Sequence, residues 1–202
     1  MKTFVYVDGF NLYSGLMDKR YKIPGDPSTF PLRKYLWLKL DDFINSFLAK
    51  EYSIKQIRYF TAPIKGNPKK QHRQESYLKA LQTLNNLSII QGKHIPIGNR
   101  YSEKKTDVLM ALRMYTDAQD RDHEALVLVS GDSDQVPTIE WIRELDKGIE
   151  IHIIFPPFRV SKDLMRIADY CYRTKWKRLR QYQFPDPVVG KGFSVHKPKE
   201  WS

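Results

Sequence analysis

Residues 125–137 read ALVLVSGDSDQVP. The apolar run from Ala125 to Val129 suits a strand buried on both faces, as at the centre of a parallel sheet. The run breaks at Ser130-Gly131. A helical pattern, TIEWIRELDK at 138–147, then follows and stops at Gly148. Strand, tight turn and helix form the repeating unit of α/β folds. Asp132 and Asp134 lie in that turn, two residues apart, and raise the functional question. They are either helix caps or ligands for a cation.

The same alternation recurs outward from this stretch. TFVYV at 3–7, IKQIRYFTA at 54–62, LSIIQGKHIPI at 87–97 and IEIHIIF at 149–155 read as strands, the third with an extended continuation. Between them, 36–50, 67–86, 103–119 and 161–170 carry helical periodicity, the second after a Gly66-Asn67-Pro68 break and the last with Ser161 as N-cap. This pattern predicts an α/β domain over 1–173 around a mainly parallel sheet. Residues 174–202, basic and then Pro-containing, read as an extended C-terminal arm. Its Trp176, Tyr182, Phe184, Phe193 and Trp201 predict packing on the domain or on a partner, and self-association into a homo-oligomer is one use for it.

With 202 residues and 41% hydrophobic content, the chain can bury one substantial core. No apolar run approaches the roughly 18 residues that cross a bilayer, so no membrane partner is expected. The opening MKTFVYVDGF lacks the apolar core of a signal peptide, and a cytoplasmic location is the simplest expectation. The single Cys171 excludes an internal disulfide and a cysteine-based zinc site. There is no P-loop, no GxGxxG and no close spacing among the five histidines. The net charge of +11 favours a polyanionic partner. Its distribution is uneven: 55–105 and 159–202 are strongly basic, whereas 106–158 holds 11 acidic residues against 4 basic ones.

Asp8 directly follows the first strand, and Asp132 follows the 125–130 strand. In open parallel sheets, ligands bind beyond the carboxyl ends of the strands, where strand order reverses. Asp107 opens the helix that leads back to the 125–130 strand, which places it at the same edge, with Asp134 nearby. Each alone is readily a cap or a turn residue. Four carboxylates at one edge repel unless a cation compensates them, and hard oxygen donors without Cys or His suit Mg²⁺ or Mn²⁺. Asn11 and Ser130 are placed to orient these groups. Lys69, Lys70, Arg100, Lys104, Lys105 and Arg113 are candidates for phosphate contacts, with Tyr101 as a stacking surface, as a single nucleic-acid strand requires.

VYVDGFNLY, KTDVLMALRM and LVLVSGDSDQVPTIE, in that order, resemble an NYN domain of the PIN-like ribonuclease superfamily. The resemblance spans about residues 3–170. It implies a three-layer α/β/α sandwich and metal-dependent cleavage of RNA that leaves a 5′-phosphate. It places the acidic, catalytic and metal-binding site on Asp8, Asp107, Asp132 and Asp134, with Asn11 beside the first. One position departs from the pattern: many members carry an aspartate six residues after Asp107, where this chain has Arg113. That departure keeps a second reading open, a non-catalytic RNA-binding or regulatory protein with a weakened metal site.

Overall fold

A computed structural model describes residues 1–97, 100–104, 106–121 and 123–201, and the backbone alone of 93–97 and 100–104. The strands are β1 Lys2–Asp8, β2 Ser53–Thr61, β3 Leu87–Gln91, β4 Lys93–Ile97, β5 Arg100–Lys104, β6 Ala125–Val129, β7 Glu150–Phe155, β8 Tyr170–Arg173, β9 Val188–Gly190 and β10 Phe193–Val195. The helices are α1 Gly9–Leu16, α2 Leu40–Asn45, α3 Pro68–Leu81, α4 Thr106–Gln119, α5 Val136–Leu145, α6 Lys162–Ile167 and α7 Trp176–Gln181.

Six strands form one parallel sheet in the order β3-β2-β1-β6-β7-β8. From β1 the chain builds outward through β2 and β3. It then returns to the other side of β1 and builds outward again through β6, β7 and β8. The reversal falls between β1 and β6, so their carboxyl ends bound the crevice predicted to hold a ligand.

Successive residues of a strand point to opposite faces, and each face carries a helix layer. Val5, Val7, Val127 and Val129 share one core with residues of α1, α2, α3 and α7. Phe4, Tyr6, Leu126 and Leu128 share the other with residues of α4, α5 and α6. The α/β/α architecture agrees with the sequence reading.

Three elements differ from that reading. The helix expected over 36–50 shrinks to α2, because Trp37–Lys39 is drawn into extended pairing with the tail: Lys39 N–H donates to Tyr182 O at 2.9 Å, and Phe184 N–H to Trp37 O at 2.9 Å. The helix expected to 170 ends at Ile167. The Asp169 carboxylate accepts from Ile151 N at 2.7 Å and from Arg143 at 2.5 Å, which steers the chain into β8. β4 and β5 pair antiparallel, and α4 starts at Thr106 rather than at 103.

The tail packs on the domain, with more structure than an extended arm. It forms α7, the β9–β10 hairpin and a final turn at Lys199–Trp201. Trp37 is its anchor, with ring centroids 6.0 Å from Phe184 and 6.3 Å from Trp201, and its indole N–H donates to Pro185 O at 3.0 Å. A six-residue helix and a three-residue hairpin are not stable alone. Both hold because Leu179, Phe184, Val188, Val195 and Trp201 enter the first core. No helix among the described residues is long and apolar enough to cross a membrane.

Candidate metal centre

Asp8 is the last residue of β1 and the N-cap of α1. Its Oδ1 accepts from Phe10 N at 3.1 Å and Asn11 N at 2.9 Å, while Oδ2 accepts from the Ser130 hydroxyl at 3.0 Å. Ser130, fully buried at the end of β6, also accepts from Asp132 N at 3.1 Å. One hydroxyl thus ties the carboxyl ends of the two central strands together. Asn11 adds a second tie, its Oδ1 accepting from Gly131 N at 3.1 Å. Asp132 caps the short turn before α5 through Asp134 N at 3.1 Å.

Asp107, in the first turn of α4, completes the group. Carboxylate oxygens of Asp8, Asp107 and Asp132 lie within 4.8 Å of one another. Asp8 is buried, Asp132 half-buried and Asp107 exposed, so the cluster opens to solvent on one side. Burial is the main reason that the Asp8 carboxyl is pushed up to about 6. The Asn11 amide and Ser130 hydroxyl oppose the shift, and Asp107 and Asp132 reinforce it. Three hard anionic oxygens from three separate elements are a donor set for Mg²⁺ or Mn²⁺, with positions left for water or phosphate oxygen. The arrangement is compatible with a metal site. Capping and cation binding are not alternatives here, since each cap occupies one side of a carboxylate.

Asp134 is exposed and stands outside this three-carboxylate group. Arg113 points elsewhere as well. Six residues along a helix place it about 120° around from Asp107, and its Nε lies 3.2 Å from Asp117. Asp117 is buried and also accepts from Arg58, through both oxygens at 2.6 and 2.9 Å, and from the Tyr6 hydroxyl at 2.8 Å. Arg113 therefore pairs with a carboxylate of the helix's other end, not with one in the cluster. Lys70 lies in the first turn of α3, whose N-cap Asn67 accepts from Lys70 N at 3.0 Å, and exposed Lys69 precedes it. Arg100 and Lys104 lie on β5, their side chains outside the described residues, and Lys105 lies outside them entirely.

The sequence reading missed Arg159. It lines the same crevice as Asp8, Asn11, Asp107 and Asp132. Its Nε is buried and, among the described residues, has no hydrogen-bond partner. The loop after β7 brings it there through Phe158, whose φ of 56° is rare for a bulky residue. Gly131 permits the approach: a Cβ on it would stand 1.5 Å from Arg159 O. The available signal was position, because PPFR follows a strand that neighbours β6 and so emerges at the same edge.

Comparison with solved structures finds a protein of unknown function from Vibrio parahaemolyticus at a TM-score of 0.58. It is 18% identical, over 91% of this chain and 96% of that one, a likeness that speaks to the fold alone. No curated protein matches the sequence. The NYN domain profile matches residues 2–197, nearly the whole chain, tail hairpin included. With that match, and with its three motifs meeting at one sheet edge, the chain belongs to the NYN domain family of PIN-like nucleases.

Proposed function

We propose that the protein is a ribonuclease dependent on Mg²⁺ or Mn²⁺ that hydrolyses phosphodiester bonds of single-stranded RNA at the Asp8–Asp107–Asp132 cluster. The observation that carries this reading is the convergence of three carboxylates from β1, α4 and the turn after β6 within 4.8 Å. A buried carboxylate with like charges beside it is costly unless a cation offsets it.

A bound divalent ion polarises a phosphoryl oxygen and lowers the pKa of a coordinated water. Asp8, Asp107 and Asp132 hold the ion, and one of them accepts a proton from the attacking water. Ser130 and Asn11 keep Asp8 and the Asp132 turn in register. Asp134 adds negative charge at the rim. Arg159, which lines the crevice, meets a phosphate oxygen through its guanidinium and opposes the charge that grows there. Lys69 and Lys70 are positioned at the start of α3 to meet phosphates of the strand, and Arg100, Lys104 and Lys105 are further candidates by sequence. The leaving group is a 3′-hydroxyl, and the product carries a 5′-phosphate.

Two features favour the non-catalytic RNA-binding reading: Asp134 stands outside the three-carboxylate group, and Arg113 stands where the family resemblance implies an aspartate. Cleavage of end-labelled single-stranded RNA with Mn²⁺, with Mg²⁺ and with EDTA separates the two readings. The nuclease reading expects ion-dependent cleavage, lost in Asp8→Asn and slowed about 100-fold in Arg159→Ala. Equal cleavage by parent and Asp8→Asn would identify a contaminant. No cleavage of several RNAs, with salt-sensitive binding intact, establishes the binding protein instead.

A further inference from the structure

A cavity of about 90 Å³ lies beside the metal centre, and Phe10 lines both. That is room for several waters, the scale of one planar ring system. Its walls include the aromatic residues Phe10, Tyr13, Tyr59, Tyr77 and Trp201, while Lys70 and Arg73 supply cations, the latter paired with Glu200 at 2.8 Å.

Tyr59 gives the cavity a polar handle. It is 6% exposed, and among the described residues its hydroxyl has no hydrogen-bond partner. Burial and the nearby Asp8 carboxylate hold that hydroxyl protonated, so it is a donor. Two other polar side chains of the lining are already engaged: Gln74 donates to Ala62 O at 2.9 Å and accepts from Ile64 N at 2.8 Å, and the Tyr77 hydroxyl donates to Leu38 O at 2.9 Å. The Tyr59 hydroxyl opens into the cavity, so an acceptor on an entering ligand can take its hydrogen bond in place of water. Gly9 lets the Tyr59 ring pass beneath the start of α1, since a Cβ there would lie 2.6 Å from it.

We propose that this cavity receives an unstacked nucleobase of the RNA strand whose phosphate lies at the carboxylate cluster. The base packs against the aromatic walls and accepts a hydrogen bond from Tyr59. Lys70, at the positive end of α3, meets the phosphate of the same nucleotide. The assignment of the strand rests on the nuclease reading; the base site itself does not.

The test is titration of the full chain in EDTA with uridine 5′-monophosphate and with ribose 5-phosphate, followed by NMR. The nucleotide is expected to bind about tenfold tighter than the sugar phosphate, as stacking on aromatic side chains implies. Tyr59→Phe, which keeps the ring and the fold, is expected to weaken the nucleotide about fivefold and leave the sugar phosphate unchanged. Lys70→Ala is expected to weaken both. Equal affinities for the two ligands, or an unchanged nucleotide affinity in Tyr59→Phe, overturn the proposal. No cleavage is involved, so nucleotide binding that depends on Tyr59 in a protein that cuts no RNA would keep the base site and remove the nuclease. Metal-dependent cleavage without base-dependent binding would do the reverse.

Discussion

At Asp8 the two carboxylate oxygens have different neighbours. One accepts from the first amides of α1, and the other accepts from the Ser130 hydroxyl. Its folded pKa of about 6 lies above the ordinary value of 3.8, so between those values the folded protein binds more protons than the unfolded one. Stability from this group is therefore present at low pH and falls as pH rises through about 6. A shift of that size corresponds to about 3 kcal/mol at neutral pH. In EDTA at pH 7.5, Asp8→Asn is expected to melt at a higher temperature than the parent, and the difference should vanish near pH 4. Saturating Mn²⁺ should raise the parent's melting temperature and leave Asp8→Asn unmoved. A variant less stable than the parent in EDTA at pH 7.5 would sink this account. Residue-scale logic was legible for Asp8, Asp107 and Asp132, because each adjoins the end of a recognisable element. It was not legible for Arg159, whose approach depends on a loop that leans on Gly131.

Elements held by distant partners are the ones that local pattern misplaced. The helical periodicity of 36–50 is real, yet Trp37 and Leu38 pair with residues near 183, about 145 positions along the chain. The tail is accordingly part of the domain's first core. Phe184 is 6% exposed and stacks edge-on with Trp37. Phe184→Ala is expected to cost about 3 kcal/mol in urea unfolding. A loss under about 0.5 kcal/mol would mean that the tail is dispensable for the fold. β8 was missed for a related reason: it is four residues long and takes its form from pairing with β7, which a local window does not contain.

Across the whole molecule, the acidic middle segment and its basic flanks become a spatial arrangement. Asp107 and Asp132 meet Asp8 at the sheet's switch point, with Arg159 in the crevice and Lys70 at the neighbouring cavity. Binding to single-stranded RNA in EDTA should therefore be strongly salt-dependent. About three phosphate contacts give a slope of roughly −2 for log K against log salt. Lys70→Ala should reduce the magnitude of that slope by about 0.7 and leave the fold's thermal stability unchanged. A slope near zero would remove the electrostatic grip from the functional reading.

The sequence alone determined the class of fold, five of the six strands of the parallel sheet and the edge at which Asp8, Asp107 and Asp132 gather. Periodicity and strand-end position are local properties, and the switch-point rule converts them into a place. Only the tertiary structure decided that Asp134 stands outside the cluster, that Arg113 belongs to Asp117, and that Arg159 enters the crevice. It alone also showed that the tail closes one wall of the aromatic cavity through Trp201. Each of those outcomes depends on which side chain wins a contested partner across a large separation in sequence, and that competition is settled by packing rather than by spacing.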